Sequence, residues 1–395
     1  MSVPIPRLRR FSGPAILSYG FRPFFLFGAF YAGLALLLWL PMFEGRFESA
    51  TAFSALDWHI HEMLYGYVAA IVTGFLLTAI PNWTGRLPLN GAPLLTLVLL
   101  WAAGRLAVSL SGVVGWWPAA LVDVAFLLVV LAAAGREIVA GKNWRNLRVL
   151  VIVAVFAFAN IAFHLEAHFG GDASYSRRAA LSTVLVLVML IGGRIIPSFT
   201  RNWLVRENPG RLPAPFDRFD GAAIGLGAFA LLAWTIFPDA VGVGLLLIGA
   251  GLLHAARLIR WAGDRTLRDP LVLILHVAYV FVPLGFALVG GAALSAQMPP
   301  SAGVHAWSVG AIGVMTLAVM TRATRGHTGR ALEAPPATQL LYAALIISAV
   351  LRIAAALLPS SSQPLLWAAA IAWVAAFWGF CILYGPMIMR PRLKS

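Results

Sequence analysis

Residues 55–80 read ALDWHIHEMLYGYVAAIVTGFLLTAI, and this stretch decides the fold. From Leu64 to Ile80 no charged side chain interrupts it. At about 1.5 Å of rise per residue, some 20 apolar residues cross the ~30 Å hydrocarbon core of a bilayer. Equivalent runs recur along the whole chain. Twelve helices can be drawn, near 21–40, 55–80, 91–112, 117–139, 147–169, 179–204, 219–237, 240–262, 270–294, 303–325, 337–358 and 364–386. Breakers separate them, among them Pro41, Gly115, Gly170-Gly171, Pro213, Pro299-Pro300 and Pro335-Pro336. The pattern predicts an all-α, polytopic membrane bundle forming one transmembrane domain over 1–395.

Composition agrees. Of 395 residues, 61% are hydrophobic and 11% charged, against about 25% charged in a soluble domain. The first apolar run is too long for a signal-peptide core of about 7–15 residues, so it reads as a retained helix. The single cysteine, Cys381, excludes an internal disulfide, a CxxCH haem attachment and any site built on several thiolates. A metal must therefore use His, Met, carboxylate or backbone ligands.

The net charge of +14 marks topology rather than a nucleic-acid partner. With twelve spans, both termini share a side. The termini and even-numbered loops, including Arg7, Arg9 and Arg10, hold 21 of the 29 lysines and arginines. The odd loops hold only Arg46, Arg177 and Arg178. The positive-inside rule then places both termini in the cytoplasm. Trp58, Trp83, Trp116 and Trp117, at helix ends, read as an interfacial belt. A weak echo links the end of helix two (Ile80-Pro81-Asn82-Trp83-Thr84) to that of helix six (Ile196-Pro197-Ser198-Phe199-Thr200) and to Met320-Thr321-Arg322 in helix ten. It is open between three four-helix repeats and a common preference for such residues at helix ends.

Orientation sorts the eight histidines by depth. His59 and His61 (helix two), His164 and His168 (helix five) and His305 (helix ten) fall toward the outer side. His254 and His276 fall toward the inner half, and His327 in a loop-like stretch at the inner end of helix ten. His164 and His168 stand i, i+4, on one helix face. His59 and His61 do not share a face, and Met63, i+4 from His59, is a further soft ligand. A lone intramembrane histidine is often only an interhelical hydrogen-bonding group. Several at one depth favour ligation, because ionisable groups in membranes are costly and tend to be functional. Glu62 and Glu166 could orient ligands or move protons, and Tyr279, i+3 from His276, could donate one. Arg105, Arg194 and Arg352 lie inside spans. They could hold anionic cofactor groups, or pair with acids such as Asp123 and Glu166. No Walker A, GxSxG, HExxH or Rossmann fingerprint is present, which argues against an ATP-driven pump or a hydrolase.

Gly20-Phe21-Arg22-Pro23-Phe24-Phe25, Trp58-His59-Ile60-His61-Glu62-Met63, Ile80-Pro81-Asn82-Trp83-Thr84-Gly85-Arg86, Gly193-Arg194-Ile195-Ile196-Pro197 and Thr200-Arg201-Asn202-Trp203 follow one another along the chain. His305-Ala306-Trp307-Ser308-Val309-Gly310 and Gly326-His327-Thr328-Gly329-Arg330 complete the series. In this order and combination the chain resembles the NnrS family over nearly its whole length. The resemblance implies a bacterial inner-membrane protein carrying haem b and copper, associated with denitrification and resistance to nitric oxide. The expected cofactor ligands are His61, His164, His168 and His305, with His59, Arg194 and Arg105 beside them. His254, His276, His327 and Met63 are candidates for a second metal position. Nitric oxide or a nitrosyl species would be the ligand, with redox turnover open and a quinol or other respiratory donor as a possible electron source. A multi-helix transporter of a small solute or metal complex is the alternative, and an assembly partner for a respiratory complex a third reading.

Overall fold

The structure is a computed structural model that describes residues 11–393; Arg7, Arg9, Arg10 and Lys394 lie outside the described residues. Among the described residues, twelve helices are long and apolar enough to cross a membrane. They are α1 (Phe21–Phe43), α2 (Ala55–Thr84), α3 (Gly91–Ser109), α4 (Trp116–Ala140), α5 (Leu147–Gly170), α6 (Ser174–Glu207), α7 (Arg218–Ile236), α8 (Val241–Ile259), α9 (Pro270–Leu294), α10 (Pro300–His327), α11 (Pro336–Leu357) and α12 (Ser362–Met389). No strand occurs among the described residues.

Local chemistry sets several ends. Ser54 accepts from Asp57 N and starts α2. Asp217 and Asp220 form a reciprocal capping box at α7. Asp269 accepts from Leu271 N ahead of Pro270, which suits the first helical position because it lacks an N–H. Gly85 closes α2 in the left-handed conformation at φ 70°, as glycine does without a Cβ penalty.

Three expectations need correction. Arg177 and Arg178 lie in the first turns of α6 and not in a loop, because Glu166 caps that helix start and draws it back to Ser174. His327 is not in a loop: α10 continues through it and turns only at Gly329, where φ is 78°. Trp58 and Trp116 are buried rather than interfacial.

The described residues form two compact units, 11–180 with 324–330 and 380–393, and 181–323 with 331–379. The same local design appears in α2 and α10. In each, a histidine, His61 or His305, immediately precedes a π-helical segment, Glu62–Val68 or Ala306–Gly313. Each segment has a glycine covered by an aromatic ring from the helix before it. A Cβ at Gly66 would lie 2.6 Å from the Tyr31 ring, and one at Gly310 would lie 2.3 Å from the Phe281 ring. Each helix ends in Thr-Gly-Arg, at 84–86 and 328–330, with the glycine at positive φ. Burial keeps step between α1 and α9, with Tyr31 against Phe281, and between α4 and α12, with Ala119 against Ala369. The first four helices therefore recur as the last four. In this register Thr84 corresponds to Thr328, not to Thr321 as the terminal sequence echo alone implies.

Candidate metal centre

The first unit contains a buried polar centre drawn from five helices. α2 supplies His61 and Glu62, at the junction where its α-helix gives way to the π-segment. α1 supplies Tyr31, α3 Arg105, α4 Asp123, and α5 Asn160 and His164. His61 and Glu62 are wholly buried, and Asp123, Asn160, His164 and Arg105 nearly so.

Arg105 is the cationic hinge. Its Nη1 donates to Glu62 Oε1 at 2.7 Å and its Nη2 to Asp123 Oδ1. Tyr31 Oη donates to the other Glu62 oxygen. Asp123 Oδ2 accepts from Asn160 Nδ2 at 2.8 Å and from His164 Nε2 at 2.9 Å, and lies 3.2 Å from His61 Nε2. His61 Nδ1 lies 2.9 Å from Glu62 Oε1, and its Nε2 lies 3.1 Å from Asn160 Oδ1. Both His61 nitrogens thus face acceptor oxygens.

Charge counting gives this arrangement its meaning. Two carboxylates and one guanidinium leave one negative charge in a membrane-spanning segment, where an uncompensated charge is very costly. A proton on His61 restores neutrality, since an imidazolium donates from both nitrogens. A metal cation would do the same. One nitrogen each from His61 and His164 and one oxygen of Asp123 lie within 4.8 Å of one another. His164 Nδ1 is also buried without a hydrogen-bond partner. Two imidazoles and one carboxylate suit iron, copper, zinc or nickel. A single ion fits here and a porphyrin does not. The His61 and His164 rings lie 4.9 Å apart, walled by Phe53, Phe163 and Tyr65, and their inward nitrogens already meet Glu62, Asn160 or Asp123, so a macrocycle could reach them only by displacing those side chains.

Residues 15–392 match the family described as NnrS protein. The chain belongs to the NnrS family. No curated protein matches it. Membership makes this NnrS protein a multi-pass membrane protein of the nitric oxide stress response.

The other sequence candidates are placed apart from the triad of ligand atoms. In this NnrS chain His168 is exposed and stacked on Trp116, with centroids 3.9 Å apart. His59 stacks on Trp39 at 3.9 Å. Met63 is half-buried on the π-segment. Glu166 accepts from Tyr175 N, Ser176 N and Ser176 Oγ, capping α6. His327 stacks on Tyr19 and packs against Phe21.

In the second unit, Arg257 donates to Asp220 Oδ1 at 2.7 Å and to Tyr279 Oη at 2.8 Å, and Tyr279 Oη is hydrogen-bonded to His254 Nδ1 at 2.9 Å. Tyr279 therefore serves His254, not His276. His276 Nε2 bonds instead to Thr200 Oγ1 at 2.8 Å. Arg194 is half-buried on α6. His305 Nδ1 donates to Ser301 O at 2.7 Å. Histidine counting overlooks Asn160, Tyr31 and the role of Asp123 as a shared ligand and acceptor. Asn160 was legible as the i−4 neighbour of His164 on the same helix face.

Proposed function

We propose that the protein relieves nitric oxide stress by holding a copper ion at His61, Asp123 and His164 and binding nitric oxide or a nitrosyl species there or at a histidine-held haem b. The observation that carries the metal assignment is the convergence of three ligand atoms within 4.8 Å around a centre short of one positive charge. A bound transition metal would supply a coordination position for nitric oxide and a redox couple. The chain does the rest. Arg105 fixes Glu62 and Asp123, Glu62 and Asn160 orient His61, and the phenyl rings of Phe53 and Phe163 exclude water. Tyr31 holds a proton against Glu62. Because the metal would take the place of the His61 proton, its affinity should fall in acid.

Haem b is assigned outside this centre. His305 is the candidate supported by its chemistry: with Nδ1–H given to a backbone carbonyl, its Nε2 carries the lone pair, the arrangement common in metal-bound histidines. Its correspondence with His61 supports the same choice. Location in a bacterial inner membrane, redox turnover and a quinol or respiratory donor complete the reading.

The test is elemental and spectroscopic. Wild-type protein, purified after growth with iron, copper and haem precursor, should carry close to one copper and a haem b spectrum. His164→Ala and Asp123→Asn should each remove most of the copper, on the order of tenfold or more, and leave haem. His168→Ala should change neither. His305→Ala should remove haem and leave copper. Copper retained in both His164→Ala and Asp123→Asn would sink the ligand set. The internal repeat favours one other reading, a transporter. Solute uptake into proteoliposomes by metal-free protein would establish it instead.

A further inference from the structure

A second feature lies at the end of α2, apart from the metal centre. A cleft of about 660 Å³ opens between the α2–α3 connection and the last turns of α4. Its floor is apolar: Leu77, Ile80, Pro81, Ala133 and Ala134. Its rim is basic. Arg86 Nε donates to one oxygen of Glu137, and Arg136 Nε donates to the other at 3.0 Å. One carboxylate thus tethers two exposed guanidiniums side by side and leaves a net positive charge with several N–H donors unused. The cleft is within the usual range for small-molecule sites, roughly 300–1,000 Å³, and sits where two membrane spans end.

The repeat shows why this place stands open. At the corresponding end of α10, the carbonyl of Leu393 lies 2.8 Å from where a Cβ of Gly329 would stand, and Leu393 N donates to Thr328 O at 3.0 Å. The C-terminal tail of the chain covers that position. At the twin glycine, Gly85, no described residue beyond its own chain neighbours comes within 4 Å of the same point. The burial register also sets Leu383 and Tyr384 of α12 against Ala133 and Ala134 of α4. The first repeat carries two methyls where the last carries two bulky side chains, and no tail segment among the described residues covers the gap.

We propose that the cleft binds one anionic phospholipid, its acyl chain on the alanine–leucine floor and its phosphate on the Arg86–Arg136 pair. The charge decides the class: a planar guanidinium gives paired donors that match phosphate oxygens, and a neutral amphiphile would leave the net charge of the rim uncompensated. The site does not depend on the metal centre, and neither result predicts the other.

Native mass spectrometry of the full chain, released from nanodiscs holding equal phosphatidylglycerol and phosphatidylcholine, tests this. Wild type should retain one phosphatidylglycerol in clear preference. Arg86→Gln with Arg136→Gln should lower that preference roughly thirtyfold, from about fivefold per arginine near an anionic headgroup. Ala133→Leu, which copies Leu383 at the matching position of the last four helices and alters no charge, should abolish retention with copper content unchanged. If the double variant fails to fold, Ala133→Leu alone decides. Equal retention of both lipids by wild type, undiminished retention in Ala133→Leu, or displacement of the lipid by an equimolar neutral quinone would overturn the proposal.

Discussion

At the residue scale, Arg105 is the member of the buried centre whose loss should cost most. It neutralises Glu62 and Asp123 together, and both acids are buried where water cannot replace it. Removing one partner of a buried ion pair costs about 3–5 kcal/mol, mostly through the charge left behind. Arg105→Leu should lower the thermal midpoint in detergent sharply and reduce folded yield. Adding Glu62→Gln should restore part of the loss, and an unchanged midpoint in Arg105→Leu would show that the acids are not both ionised. Gly193 makes the same point in the second unit. A Cβ there would stand 1.9 Å from Arg257 Nη2. The guanidinium cannot swing aside without breaking its bonds to Asp220, Tyr279 and Met189 O. Gly193→Ala should therefore destabilise by about 1–3 kcal/mol, measured as a fall in the same midpoint.

At the element scale, the π-segment after His61 aims the site. Such segments carry an extra residue within a helix and recur at functional sites. Each residue turns an α-helix by about 100°. Deleting Met63, the half-buried member, should rotate His61 away from Asp123 while α2 stays helical. The expected result is protein with wild-type helical circular dichroism and little or no copper; copper retained in full would show that the π-turn does not set the His61 direction. The sequence made α2 legible as a span and His61 as a candidate, because composition and residue type act locally. It did not reveal the π-turn, which no apolar pattern encodes. It also kept His164 and His168 together as an i, i+4 pair, whereas α5 tilts one toward Asp123 and leaves the other exposed on Trp116. Helical spacing fixes a face of about two turns; what meets that face is decided by neighbouring helices.

At the scale of the whole molecule, the return of the first four helices as the last four turns single residues into internal controls. Burial keeps step between α3 and α11, setting Arg105 against Arg352 and Trp101 against Ser348. The acids differ. The place of Glu62 is taken by Ala306 and that of Asp123 by Trp373. Arg352 is half-buried and makes no ion pair or hydrogen bond with any described residue. The two arginines thus occupy equivalent positions, one as the hinge of a charged centre and one without an acid beside it. A guanidinium placed within an apolar span without compensation is unfavourable by up to about 2.5–3.5 kcal/mol at mid-membrane, and by less near a helix end such as this. Arg352→Leu should accordingly be neutral or stabilising, by up to about 2 kcal/mol, where Arg105→Leu is strongly destabilising. Thermal melts of the two variants, made and purified in parallel, check the contrast. A destabilisation of Arg352→Leu as large as that of Arg105→Leu would mean that Arg352 has a counter-charge of its own, supplied from outside the described chain.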